Sequence, residues 1–186
     1  RRLVFSSTAA LYGEPDAGLV VTETSDVTPQ SPYAASKQIA ERILADVAAA
    51  TDLPTVSLRY FNPIGADPQM RSGLYVENPS HVLGRLVDVQ MGRLPQFTIT
   101  GTDYPTRDGT GIRDYIHVWD LARAHVCAVE GFERAFARAG NPPDRYLAIN
   151  LGCGRGVTVR ELVTAFEQVT GAPLNVVEGP PRPGDV

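Results

Sequence analysis

Two runs rich in β-branched and aromatic residues, RLVFSSTAALYG (2–13) and LPTVSLRYFN (53–62), enclose a helix-length segment. That order constrains the fold more than any other feature of the chain. Parallel neighbours need a crossover of a dozen or more residues, usually a helix, so residues 1–65 predict a right-handed βαβ unit. The first run closes on Ser6, Ser7 and Thr8, as a buried parallel strand does where it ends at a ligand crevice. TETSDVTPQSP (22–32) is turn chemistry. Ser31 is a good N-cap, Pro32 suits the first helical position, and the helix is expected to run to about Ala50. The second strand is expected to end at Asn62, with Pro63 and Gly65 breaking it.

After a polar stretch from Pro68 to Ser80, a second set of elements begins. SHVLGRLVDVQMGRL restores helical spacing through Val82, Leu86, Val87 and Val89. FTITG, IRDYIHV and YLAINLG read as short strands, and WDLARAHVCAVEGFERAF and TVRELVTAFEQVTG as helices. The last helix has a Thr158–Glu161 capping box and Gly171 as its stop. The expected fold class is α/β. Residues 1–65 are expected to form the C-terminal part of a Rossmann-like, doubly wound parallel sheet, joined to 66–186, mainly a smaller α/β substrate-binding lobe, with a crevice between them. The chain enters its first strand without a lead-in and stops in the loop GPPRPGDV, so both ends are expected to be those of a fragment.

Composition narrows the partners. The 186 residues are 43% hydrophobic, enough for an ordinary core. A net charge of −4 and a pI near 5.4, without a dense basic block, argue against nucleic acid or an anionic membrane and for a small ligand. Cys127 and Cys153 have no companions at metal-ligand spacing, so neither a metal site nor a disulfide framework is expected, and a reducing cytoplasm fits. No apolar run approaches the roughly 18 to 20 residues that span a bilayer.

The helix beginning at Pro32 carries an unusual pair. Taking about 100° per residue from Tyr33, Lys37 falls at about 40°, Ala40 at about 340° and Leu44 at about 20°, with Gln38, Arg42 and Asp46 opposite. Tyr33 and Lys37 are therefore expected on the buried stripe, where an amine is costly unless its charge is needed. Taken alone, Tyr-x-x-x-Lys is more often a tyrosine at the core margin beside a snorkelling lysine. It also has a chemical use. A phenol titrates near 10, and an ammonium about 5 Å away at an effective dielectric of about 20 supplies roughly 3 kcal/mol, most of what ionisation near neutrality requires. A second cation, such as the nicotinamide ring of NAD, would supply the rest and accept a hydride. Context raises the motif above chance, because the hydroxyls of Ser6, Ser7 and Thr8 close the preceding strand.

Through SST and YAASK the sequence resembles the extended short-chain dehydrogenase/reductase superfamily, and within it the UDP-glucose 4-epimerases. The latter resemblance is carried by FSSTAALYGEP, TPQSPYAASKQIAERIL, LRYFNPIGA, GTDYPTRDGTGIRDYIHVWDLARAH, NLGCGRGVTVRELV and RPGD, which cover most of the chain. It implies NAD-dependent C4 epimerisation of a UDP-hexose through a 4-keto sugar. Tyr33 would be the base, Lys37 would support it and bind the nicotinamide ribose, and Thr8 would orient the sugar hydroxyl. Ser6, Tyr60 and Phe61 would flank the cofactor. Asn62 would contact the nucleotide sugar, Arg113 and Arg182 would clamp the diphosphate, and Asp185 would hold the uridine ribose. His81, Val82 and Thr98, Ile99 and Thr100 would line the uracil side. His117, His125, Cys127 and Cys153 are assigned to packing. A homodimer through helices of the sheet domain, including the Tyr33 helix, is implied as well.

The sequence also departs from that family. Thr100 stands where an aromatic is common and Gly84 where a proline is usual, which loosens the expected packing on the base. The glycine-rich phosphate loop of a Rossmann domain does not occur in these 186 residues, so the chain alone is expected neither to retain NAD nor to turn over. YLAINLGCGRGVTVRELV imitates a dinucleotide fingerprint, but its spacing is G-x-G-x-G, and it is expected to be a turn in the substrate lobe. A nucleotide-sugar 4,6-dehydratase or decarboxylase would want carboxyl groups after Thr8, where Ala9 and Ala10 stand. A non-catalytic dinucleotide-binding protein would have no reason to keep Tyr33, Lys37 and Thr8 together.

Overall fold

The computed structural model describes residues 1–13 and 20–181. In chain order the elements are β1 (Leu3–Thr8), a 3-10 turn (Ala9–Tyr12), α1 (Pro32–Ala50), β2 (Thr55–Tyr60), β3 (Asn62–Ile64), α2 (Val82–Gln90), β4 (Phe97–Thr100), β5 (Ile112–His117), α3 (Val118–Glu130), α4 (Phe132–Arg138), β6 (Tyr146–Leu151), β7 (Gly156–Thr158), α5 (Val159–Thr170) and β8 (Val176–Gly179). They form two compact units. The first comprises Arg1–Pro63 and Ile116–Cys153, the second Ile64–Tyr115 and the chain from Gly154 onward.

In the first unit β1, β2 and β6 form a parallel sheet in the order β1-β2-β6, with Ser7 opposite Arg59 and Thr8 opposite Tyr60. The expected βαβ unit is there, with Ser31 accepting a hydrogen bond from Ala34 N and Pro32 in the first turn. The expectation that 66–186 is mainly one lobe needs a correction at 116–153. Residues 116–153 return to the first unit because α3, α4 and β6 make another crossover, whose last strand pairs with β2. Val56 and Leu58 of β2 pack on Phe132 and Phe136 of α4, with Val4, Leu147 and Ile149 around them. The break between α3 and α4 falls at Gly131, where a Cβ would come within 2.8 Å of the Cys127 carbonyl oxygen.

The buried stripe of α1 is rotated from its expected position. Its buried residues are Ala34, Glu41 and Ala48, about 60–100° round the helix from Tyr33, which is 51% exposed. Glu41 lies on the i, i+4 row that starts at Tyr33, at the flank of the expected stripe. Arg59 on β2 neutralises it, and so draws that line of α1 onto the sheet.

In the second unit β4 pairs in parallel with β8, and β5 pairs antiparallel with β7. Leu86 of α2, Phe97 and Ile99 of β4 and Val163 of α5 form its core. The expected caps of α5 are present: Thr158 Oγ1 accepts from Glu161 N, Glu161 accepts from Thr158 N, and Gly171 takes a left-handed φ of 70°. The G-x-G-x-G segment carries the chain from β6 into β7, not directly into a helix, so it lacks the strand-to-helix turn of a dinucleotide site. Gly84 has a local reason, since a Cβ there would lie 2.6 Å from Pro79 Cβ.

Candidate functional site

The first unit brings together the end of β1, the first turns of α1 and the end of β2. Lys37 reaches from α1 to the Ser6 carbonyl, to which its Nζ donates at 2.9 Å. The same amine lies 4.9 Å from the centre of the Phe5 ring and 5.8 Å from that of Tyr33. An ammonium is thus fixed between a backbone acceptor and two aromatic faces, on the side of α1 turned toward the sheet. The residue choice is informative. Of the chain's 17 lysines and arginines, Lys37 is the only lysine. A compact ammonium suits this position, whereas a planar guanidinium would need a different set of acceptors.

Thr8 is buried, and its Oγ1 accepts from Ala10 N at 3.2 Å, which starts the 3-10 turn at the strand end. Ser6 is exposed, and its hydroxyl lies 2.9 Å from Nε2 of His125. Nδ1 of His125 is 2.9 Å from the Leu121 carbonyl, which can only accept, so Nδ1 carries a proton, and in the neutral ring Ser6 donates to Nε2. His125 is therefore more than packing, and its ring also lies 6.4 Å from that of Tyr60. The other packing assignments need correction too. His117 is an exposed N-cap whose Nδ1 accepts from Trp119 N, and Cys127 and Cys153 are exposed thiols. His117, Cys127 and Cys153 thus lie at the surface, while His125 is half-buried.

Tyr60, Phe61 and Asn62 follow at the end of β2, half-buried. Burial first, and then the charge Tyr33 acquires when ionised, hold the Tyr60 phenol above its ordinary value. The Tyr60 phenol is thereby held in its neutral form. Behind this cluster lies a network that sequence reasoning missed. Arg59 meets Glu41 through Nε at 3.1 and 3.2 Å and through Nη2 at 2.7 Å, and Ser7 Oγ donates to Glu41 at 2.5 Å. Arg59 Nη1 also donates to the Tyr12 hydroxyl at 2.8 Å, which in turn donates to Asn150 Oδ1 at 2.7 Å. Burial alone would lower the Arg59 pKa, but Glu41 and Tyr12 together raise it, so the guanidinium stays charged. The available signal was one arginine inside the otherwise uncharged strand TVSLRY, together with a glutamate on the i, i+4 row through Tyr33 and Lys37.

The remaining expected site residues belong to the second unit or lie outside the described residues, as Arg182 and Asp185 do. His81 is the exposed N-cap of α2, without a side-chain capping bond, and Val82 follows half-buried. Ile99 corrects its expectation. It is 2% exposed in the core against Leu86 and Phe97, because alternate residues of a strand face opposite ways and only Thr98 and Thr100 turn from that core. Arg113 Nη1 donates to the Ile112 carbonyl at 2.9 Å. Among the described residues no group of three or more His, Cys, Asp or Glu could hold a metal ion, and no helix is long and apolar enough to cross a membrane.

The chain is similar to curated and solved relatives along its whole length. It is 44% identical to UDP-glucose 4-epimerase 4 of Oryza sativa subsp. japonica over 191 residues, covering 100% of this chain and 48% of that protein. It is also 44% identical to the UDP-glucose 4-epimerase of Azospirillum brasilense, covering 99% and 50%. The structure superposes on the Stenotrophomonas maltophila UDP-glucose 4-epimerase with bound NAD and formylated UDP-arabinopyranose, with a TM-score of 0.88 and 42% identity, covering 100% of this chain and 53% of that one. The Bifidobacterium longum enzyme in complex with NAD+ and UDP gives 0.87 and 37%, with the same coverage. The chain spans about half the length of the curated relatives it matches. The stretch over which a family match extends, residues 1–141, contains the strand ends and the helix that assemble the cluster, and this chain belongs to the NAD dependent epimerase/dehydratase family.

Proposed function

We propose that the whole protein interconverts UDP-glucose and UDP-galactose at C4. The observation that carries this reading is the Lys37 amine held between the Ser6 carbonyl and the Tyr33 ring, with a buried Thr8 closing the same strand. Tyr33 takes the proton of the sugar 4-hydroxyl and later returns it. Lys37 keeps a positive charge beside the phenol oxygen while that oxygen is anionic. Thr8 orients the hydroxyl, and Tyr60, kept neutral, does not compete as a base. The donor set fits the nicotinamide end of NAD: an ammonium and the Ser6 hydroxyl for polar contacts, with Tyr60 and Phe61 as aromatic flanks. NAD, when bound, supplies the acceptor and donor of the hydride at C4.

In the same reading Asn62, Arg113, Arg182 and Asp185 hold the nucleotide sugar, and His81, Val82, Thr98 and Thr100 line its base. A firm grip on the diphosphate leaves the hexose free to turn between its two faces. Ala9 and Ala10 form the turn after Thr8, and neither can move a proton, so nothing favours the lyase alternative. A second copy would pair through α1, whose Ile39, Ile43 and Val47 are exposed, and sedimentation velocity would read a monomer if this is wrong. The proposed setting is cytoplasmic, with both cysteines as thiols. The test of the activity is Tyr33→Phe in the whole protein, which should lose most of its turnover while binding UDP normally. Unchanged turnover would refute the assignment of the base.

A further inference from the structure

The first unit buries the carboxylate of Glu41. Its side chain is 7% exposed and that of Arg59 is 9% exposed, yet a buried ion pair is often replaceable by apolar residues at no loss of stability. What distinguishes this one is where it sits. The other two buried residues of α1 are Ala34 and Ala48, which offer the sheet a smooth surface without directional contacts. Glu41 is the one buried residue of that helix that can fix its rotation and its axial position. Its partners, Ser7 and Arg59, stand directly opposite each other on β1 and β2 and face the same side of the sheet. Lys37 and Glu41, one helical turn apart on the row that starts at Tyr33, thus land on consecutive residues of β1, the Ser6 carbonyl and the Ser7 hydroxyl. Through Tyr12 the same guanidinium also holds the turn that begins at Thr8.

We infer that Glu41, clamped by Ser7 and Arg59, is a positioning residue that sets the register of α1 on the end of β1, and so places the Lys37 amine and the Tyr33 phenol. It acts through Lys37 and meets no substrate. The inference rests on the reading of Tyr33 and Lys37 as the reacting pair, but its test requires neither substrate nor cofactor. Either result can therefore be obtained whatever Tyr33→Phe does to turnover.

The test is the rate at which an amine-acetylating reagent labels Lys37 in the whole protein, followed at the Lys37 peptide by mass spectrometry. The key variant is Glu41→Met/Arg59→Met, which replaces the pair by apolar side chains and keeps the volume. A thermal midpoint close to that of the parent, with Lys37 labelled about tenfold faster or more, is the expected result: stability is recovered and register is not. The same midpoint with labelling within twofold of the parent would overturn the inference, because the pair would then be structural only. Should the double variant fail to fold, Ser7→Ala removes one arm of the clamp and no charge. Labelling about threefold faster supports the inference, and an unchanged rate overturns it.

Discussion

Replacing Lys37 by methionine keeps most of the stem and removes the charge. The amine lies 5.8 Å from the centre of the Tyr33 ring. At an effective dielectric of about 20, a unit charge there stabilises an anionic ring by about 3 kcal/mol, or about 10²-fold in rate if all of it is expressed in the transition state. Tyr33 is 51% exposed, so water screens part of this. A dielectric of about 40 would halve the energy and leave about a tenfold effect. The variant should therefore lose between about 10-fold and about 10²-fold in kcat for the proposed interconversion of UDP-glucose and UDP-galactose by the whole protein, with affinity for UDP within twofold. The hydrogen bond to Ser6 is lost as well, but it is exposed, and about 1 kcal/mol of stability is the expected cost. Lys37→Arg, which keeps the charge but not the compact donor, should fall between the two. A methionine variant with kcat within twofold of the parent, folded and saturated with NAD, would refute the electrostatic account of the pair.

Two further outcomes follow from the second unit. Hydrogen bonds from Arg107 and from Thr158 N hold Glu161 at about 2, against an ordinary 4.5, so its contribution is complete above about pH 4.5 and is lost as pH falls toward 2. Asp108 moves the same way: burial raises it, but hydrogen bonds from Thr158 and Thr110 together outweigh that. Acid titration followed by hydrogen exchange should open α5 and the segment around Asp108 before the β1-β2-β6 sheet, and Glu161→Gln should flatten the dependence of α5 protection on pH in that window. If the sheet opens first, the assignment is wrong. Gly84→Ala should lower stability by about 1–3 kcal/mol in urea despite alanine's better helix propensity, since its Cβ would stand 2.6 Å from Pro79. A neutral or stabilising result would show that Pro79 moves aside freely.

What the sequence alone determined is local in its physics. The N-cap at Ser31 with Pro32, the capping box at Thr158, the stop at Gly171 and the apolar runs of β1, β2 and β6 each follow from a few neighbouring residues, and the helix between the first two runs forced a parallel crossover. The Tyr33–Lys37 pair was legible for the same reason, because one helical turn joins the two residues. Tertiary structure decided whatever depended on partners distant in sequence. Periodicity left the place of Glu41 open, and only the pairing of Ser7 with Arg59 across two strands made its burial affordable. Ile116–Cys153 returned to the first unit because β6 found β2, and Ile99 turned inward because Leu86 and Phe97 were there to receive it. A charge or an apolar side chain carries its own preference for water or core, but the neighbour that satisfies it is supplied by the fold.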